Sequence, residues 1–252
     1  MTIGLTELRR LNFADALYDT LFPARRGSRN QADLAYEVLW KKVVDQELRP
    51  GDRVIDAAIA EAAGVSRTPV REAIQRMVGD GLLEALPRGA RVARLSPEDA
   101  DQQYDYRTAL EVFAAQRAAP LVPEAEVRRL LDAFAELRRR LEQPGAQHDP
   151  ALALDIVHQD MRLHQLLLFH GGNSYIARAL ATIWARQTVY GIALTRTSGW
   201  TEQGIADHEA ILRTLLTRDA HAAGQAMERH IQRVKDRVRS ELFGQPAPAS
   251  GP

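Results

Sequence analysis

The stretch Gly64-Val65-Ser66-Arg67-Thr68-Pro69-Val70-Arg71-Glu72-Ala73-Ile74 constrains this chain more than any other. A glycine falls in a turn, and a serine is placed to cap a helix. A proline follows early in that helix, where its missing N–H costs nothing. Ile74, Met77 and Val78 continue with an apolar stripe at helical spacing. Arg67 and Arg71 lie one turn apart and share a side. A short, self-capped helix that presents two arginines from its first turns is expected to meet a negatively charged partner. It reads as the recognition helix of a winged helix-turn-helix.

The flanking sequence supports that reading. Ala32 to Glu47 carries Leu34, Val38, Leu39, Val43 and Val44, an amphipathic helix that ends before the turn signature Leu48-Arg49-Pro50-Gly51-Asp52. A short helix is expected from Asp56 to Ala63, stopped at Gly64. The recognition helix then runs from about Ser66 to Asp80 and ends at Gly81. Leu82 to Leu86, Pro87-Arg88-Gly89 and Ala90 to Arg94 read as strand, tight turn and strand. Lys plus Arg equals Asp plus Glu at 33 each, so overall charge identifies no partner. Between Gly64 and Arg94, however, six arginines (Arg67, Arg71, Arg76, Arg88, Arg91, Arg94) face three acids (Glu72, Asp80, Glu84), a local surplus suited to phosphate. In double-stranded DNA, Arg67 and Arg71 would contact base edges or phosphates, Ser66 and Thr68 would hold the backbone, and Arg88-Gly89 at the wing tip would reach the minor groove.

The second half carries no strand signal. Ser96-Pro97-Glu98-Asp99 opens it with a serine cap, a first-position proline and acids in the first turn. Helices are expected over roughly 97–119, 124–142, 150–169, 173–197, 201–217 and 219–242, an antiparallel six-helix bundle. The fold class is therefore mostly α: an N-terminal arm (1–29) with three arginines in its basic loop, a winged helix domain (30–95), a helical domain (96–243) and a tail (244–252) disordered on composition. There is no cysteine, which excludes disulfides and thiolate chemistry. Apolar runs fall far short of a membrane span, and Glu7, Asp15 and Asp19 interrupt any leader-like core. A soluble cytoplasmic protein with no membrane partner is the expectation.

Helical phase sorts the seven histidines. The buried stripe of the third bundle helix passes through Ile156, Asp160, Leu163 or His164, and Leu167. The fifth passes through Ile205, His208, Leu212 and Leu215, and the sixth through Met227, His230, Val234 and Val238. His158 lies with Arg162 and Gln165 on a polar face, His148 in a linker, and His170 and His221 at helix ends. Asp160 and His164 sit one turn apart, able to grip a single metal. His208 and His230 are about equally far from a corner near Arg218, so a helix hairpin brings them level. One Asp and three His suit a divalent metal, zinc first, with nickel or manganese as alternatives. Buried polar groups need a common partner because each is costly alone. Against this stand hydrogen-bonded core histidines, which make the bundle a plain dimerisation module, and a hydrolytic metal centre. The hydrolase lacks an evident general base on the inner stripes and leaves residues 30–95 unexplained.

These motifs resemble the GntR-type transcriptional regulators. Arg49 through Val54, Ile59-Ala60-Glu61, Gly64 through Ile74, Asp80 through Leu83 and Arg88 through Val92 carry the resemblance in order and spacing. Where relatives often carry a DNA-contacting arginine in the second helix, this chain has Ala57, which implies one contact fewer. Asp160-Met161-Arg162-Leu163-His164, Gly172-Asn173, His208 and His230 are similar to the FCD effector-binding domain of the FadR branch. Leu163 stands in place of the more usual phenylalanine, and the six-helix count resembles the VanR-like subgroup. The resemblance implies a homodimer, a metal held by those four residues, and a repressor released by a small organic acid. It also implies effector contact by Arg107, which could grip a carboxylate in bidentate fashion or pair with Glu111 on the surface. Arg186, beside Ile183 and Tyr190, is a further candidate.

Overall fold

The computed structural model describes residues 30–146, 149–177, 179, 180, 183, 184, 186, 187 and 202–244. The arm over 1–29, His148, the tail beyond Gly244 and most of the helix expected over 173–197 lie outside the described residues. The described residues form two compact units, one built from 30–95 together with 183, 184, 186 and 187, the other from 96–180 and 202–244.

In the first unit, α1 (Gln31–Val44) starts at Asn30, whose side chain accepts from Asp33 N while the Asp33 carboxylate accepts from Asn30 N. This reciprocal box satisfies two of the donors a helix start leaves open. The buried face of α1 runs through Ala32, Ala35, Tyr36, Leu39, Trp40 and Val43, at three- and four-residue steps. The expected stripe is thus rotated: Leu34 is exposed and Val38 only half-buried, because Tyr36 and Trp40 fill the core instead. α2 (Asp56–Ala63) ends at Gly64, which takes the left-handed conformation with φ 65°. An L-residue with a Cβ is strained there. α3 (Arg67–Gly79) buries Val70, Ala73, Ile74 and Met77, and packs on α1, α2 and the wing.

The hairpin is β2 (Leu83–Ala85) and β3 (Ala90–Val92), paired antiparallel with Ala85 opposite Ala90. Its turn closes through Leu86 N donating to Gly89 O, with Gly89 at φ 85°. A third strand, β1 (Arg53–Val54), pairs along the other side of β3 and makes the sheet order β1-β3-β2. The sequence reading did not include it. Two residues are too few for an alternating pattern, and only the β3 partner defines them as strand.

The second unit is helical throughout its described residues. α4 (Pro97–Ala118) opens on the Ser96–Asp99 capping box with Pro97 in the first turn. α5 (Glu124–Leu141) and α6 (Pro150–Gly171) follow, α6 capped by Asp149 at its start and by left-handed Gly172 at its end. Asn173 then accepts from Tyr175 N and Ile176 N, opening a helical stretch over 174–177. α7 (Glu202–Leu216) and α8 (Ala220–Phe243) meet at a corner in which Arg218 is left-handed, with φ 56°. α4 packs on α8 and α6, α5 on α6 and α7, and α7 on α8. Phe134, Leu163, Leu167, Ile205, Leu212, Met227 and Ile231 fill the interior.

Candidate metal centre and nucleic-acid interface

Three helices of the second unit converge on one group of side chains. Asp160 and His164 project from α6 one turn apart, His208 from α7 and His230 from α8. One ligand atom from each lies within 4.8 Å of the others. His208 Nε2 is 2.7 Å from Asp160 Oδ1, and His164 Nε2 is 3.6 Å from the same oxygen. The His208 and His230 rings stand 4.6 Å apart between centroids, His164 and His230 5.5 Å. The hairpin geometry at Arg218 produces the first of these, since the two histidines lie at similar heights on either side of the corner. Phe134 of α5 stacks on His208 at 5.1 Å and closes that side with an apolar ring.

The three imidazoles are buried, whereas the Asp160 side chain retains 25% of its exposure. Asp160 therefore sits at the rim, not in the fully buried stripe that helical phase implies. Burial raises its pKa, but His208 and His164 beside it hold the carboxyl well below the usual range. Burial lowers His164, yet the Glu111 and Asp160 carboxylates pull it up to about 9. Burial, with His208 and His164 alongside, pushes His230 well below its ordinary value, so that ring is neutral. His230 Nδ1 and His208 Nδ1 are buried without a hydrogen-bond partner. Interiors rarely leave such atoms unused, and three imidazoles with one carboxylate match the donor preferences of zinc, nickel and manganese. The residues present fit a divalent metal ion.

Arg107 and Glu111 of α4 form the second layer, and here the sequence reading needs correction. Their pair is not on the surface: Arg107 is 7% exposed and Glu111 2%. Arg107 Nε donates to Glu111 Oε1, and Arg107 Nη2 lies 3.2 Å from His164 Nε2. Glu111 Oε2 meets His164 Nδ1. Burial raises the Glu111 pKa, but Arg107 and His164 bring it down to about 2, so it is a carboxylate. Glu111 is thus an inner carboxylate that the stripes did not reveal; its signal was the four-residue spacing from Arg107 on a helix that turns that face inward. Tyr104, one turn earlier, is also buried, and its hydroxyl is pushed up to about 12, chiefly by burial. Asp207 is buried beside His230, with Oδ2 4.0 Å from Nδ1, and accepts from Gln203 and Arg233. Arg186 is not part of this group: its side chain lies against Gly81 in the first unit.

In that unit, Ser66, Arg67, Thr68 and Arg71 are all exposed at the start of α3. Ser66 is the N-cap by backbone conformation, but its side chain makes no capping hydrogen bond. Arg71 Nε lies 3.3 Å from Asp56 Oδ2, a loose surface pair worth about 0–1 kcal/mol. Arg88 and Gly89 form the exposed tip of the wing. Two of the six arginines are engaged internally, Arg76 with Asp33 at 2.8 Å and Arg91 with Glu84 at 2.6 Å. The other four are exposed, Arg67 and Arg71 at the helix start, Arg88 at the wing tip and Arg94 just beyond β3.

A three-helix winged domain with arginines exposed at the start of its third helix, joined to a helical unit with its own buried polar centre, defines a DNA-binding transcriptional regulator. Residues 31–92 match the family described as bacterial regulatory proteins, gntR family, and residues 102–233 match the FCD domain. The chain belongs to the GntR family and carries an FCD domain. It is 27% identical over 206 residues to the HTH-type transcriptional repressor RspR of Escherichia coli K12, covering 81% of this chain and 87% of RspR. It is 22% identical over 240 residues to the gluconate operon transcriptional repressor of Bacillus subtilis, covering 92% and 96%. With the regulator YdhC of B. subtilis it shares 29% identity over 147 residues, 58% of this chain and 62% of YdhC. The solved structure of E. coli McbR/YncC shares the fold, with a TM-score of 0.67 at 19% identity over 85% of this chain and all of McbR/YncC. These relatives are transcriptional regulators, not enzymes. Among the described residues no helix is long and apolar enough to cross a membrane.

Proposed function

We propose that this protein is a metal-dependent repressor that releases its operator when a small organic acid enters the helical domain. The observation that carries the reading is the meeting of Asp160, His164, His208 and His230, from three helices, within 4.8 Å. Each is a competent metal donor, and the two orphaned imidazole nitrogens argue for a ligand that completes the group. Zinc is the first choice, nickel or manganese the alternatives. A bound metal supplies a Lewis-acid position for one carboxylate oxygen of the effector. Arg107, beside His164, supplies a fixed fork of donors for the same carboxylate; Arg186, against Gly81, is the weaker candidate for effector contact. Repression is supported by two relatives whose names describe them as repressors.

On the DNA side, Arg67 and Arg71 would read base edges or phosphates in the major groove, Ser66 and Thr68 would hold the backbone, and Arg88 with Gly89 would enter the minor groove. A homodimer would present two such helices to a near-palindromic site. The effector controls binding only if its affinity differs between DNA-competent and released states. Elemental analysis of protein purified without chelator tests the reading. About one metal ion per chain, lost in His208→Ala, is the expected result. Metal-free wild-type protein that still binds DNA would replace the sensor with a plain dimerisation module.

A further inference from the structure

The GntR/FCD reading names the metal donors but leaves unexplained why one carboxylate, Glu111, is buried at the back of one ring. Resting on the metal-centre reading above, we propose that Glu111 is a positioning residue that fixes which nitrogen of His164 faces the metal. The two ring nitrogens see different surroundings. Nδ1 meets Glu111 Oε2, while Nε2 points toward the cluster, 3.6 Å from Asp160 Oδ1. A carboxylate only accepts, so the nitrogen against it keeps its hydrogen. Nε2 is then the atom left for a metal, and the ring is held in the orientation that delivers it.

Arg107 completes the arrangement by anchoring the other side of the same carboxylate: its Nε donates to Oε1. Glu111 therefore bridges a cation and an imidazole and is pinned at both oxygens. The pairing also meets an electrostatic need. A carboxylate that is 2% exposed would be costly without opposite charge, and Arg107 and the His164 N–H supply it; Arg107 Nη2 also stands 3.2 Å from Nε2, a contact that a metal on Nε2 would replace. His230 has only a looser counterpart, since Asp207 stands 4.0 Å from its Nδ1, and His208 Nδ1 has no hydrogen-bond partner. Among the three rings, His164 is the one in close contact with a carboxylate from outside the donor set, since the carboxylate against His208 Nε2 is Asp160 itself. It is also the ring that shares a helix turn with Asp160, so its orientation determines whether the α6 pair can close on one ion.

The test compares wild-type protein with Glu111→Gln by zinc titration and by long-range proton–nitrogen NMR of the histidines without metal, recorded at a pH above about 9, where His164 carries a single hydrogen. Glutamine keeps the volume but can offer either an acceptor or a donor to Nδ1, so it no longer selects one tautomer. Wild type is expected to show His164 with hydrogen on Nδ1, and Glu111→Gln a mixture of tautomers with zinc affinity roughly 10- to 100-fold weaker. Equal zinc affinity in the two proteins, with an unchanged His164 spectrum, overturns the positioning role and leaves the metal centre standing. A wild type that binds no zinc, nickel or manganese overturns the metal centre and the positioning role together. Should Glu111→Gln not fold, Glu111→Asp carries the same measurements: it keeps the charge against Arg107 but draws the carboxylate back from the ring, and the same loss is expected.

Discussion

Arg107 and Glu111 show how burial changes what a spacing means. On a solvated helix such a pair contributes a few tenths of a kcal/mol. Here both side chains are almost wholly enclosed and the carboxylate is shared with His164. Removing the guanidinium leaves an under-compensated buried charge, which typically costs about 3–5 kcal/mol. The His164 contact that remains to Glu111 places Arg107→Met toward the lower end. Urea unfolding of metal-free protein measures it, and a loss below about 1 kcal/mol would mean that solvent reaches and screens the pair. The sequence could show that Arg107 and Glu111 face the same way. It could not show that the face is inward, because α4 has a weakly apolar face: alanines and glutamine line its buried side along with Tyr104.

At the scale of elements, α3 is the part whose function its own residues announce. Its buried side, Val70, Ala73, Ile74 and Met77, locks it onto α1 and α2, which leaves Arg67 and Arg71 outward. Arg71→Ala is expected to weaken operator binding by about 1–3 kcal/mol, roughly 5- to 150-fold, if the side chain reads a base edge. If it meets only phosphate, the loss is similar for every sequence and the salt dependence flattens by about one ion. Gel-shift titrations at two salt concentrations separate these, and unchanged affinity at both would remove Arg71 from the interface. The loose pairing with Asp56 does not oppose this, because a surface ion pair exchanges readily for a phosphate. In the second unit, the α7–α8 hairpin acts as a ruler. Its left-handed corner at Arg218 sets the heights at which His208 and His230 meet.

For the whole molecule, metal, protons and DNA are linked quantities. Without metal, the raised pKa of His164, about 9, keeps that ring charged at pH 7, while His230 is already neutral and Asp160 already ionised. A metal on His164 Nε2 must displace the extra proton, so zinc binding at pH 7 should release about one proton per chain. The sign follows from the direction of the shift: a ring whose pKa lies above the working pH resists the cation, and affinity rises as pH approaches 9. Calorimetric titrations in buffers of different ionisation enthalpy count the proton. Zero release at pH 7 would show that His164 is neutral before metal arrives, or that it is not a ligand. Control of DNA by an effector adds one more requirement, unequal affinity for two states of the protein, and only binding measurements on the full chain can supply it.

What the sequence determined by itself was everything that depends on local rules. Gly64 and Gly89 mark positive-φ turns, Ser96 and Asp99 mark a helix start, and the three-and-four periodicity places His208 and His230 on inner faces. Equal distance from a corner even brings two histidines of different helices together. The tertiary structure decided what depends on partners distant in the chain. β1 exists only because β3 lies beside it. Leu34 is exposed because Tyr36 and Trp40 take the core in its place. Glu111 lies 53 residues from His164 and joins the centre only through the packing of α4 on α6. Periodicity reports which face of a helix is apolar; it carries no record of which neighbour that face will meet, and contact between distant charges is set by that neighbour.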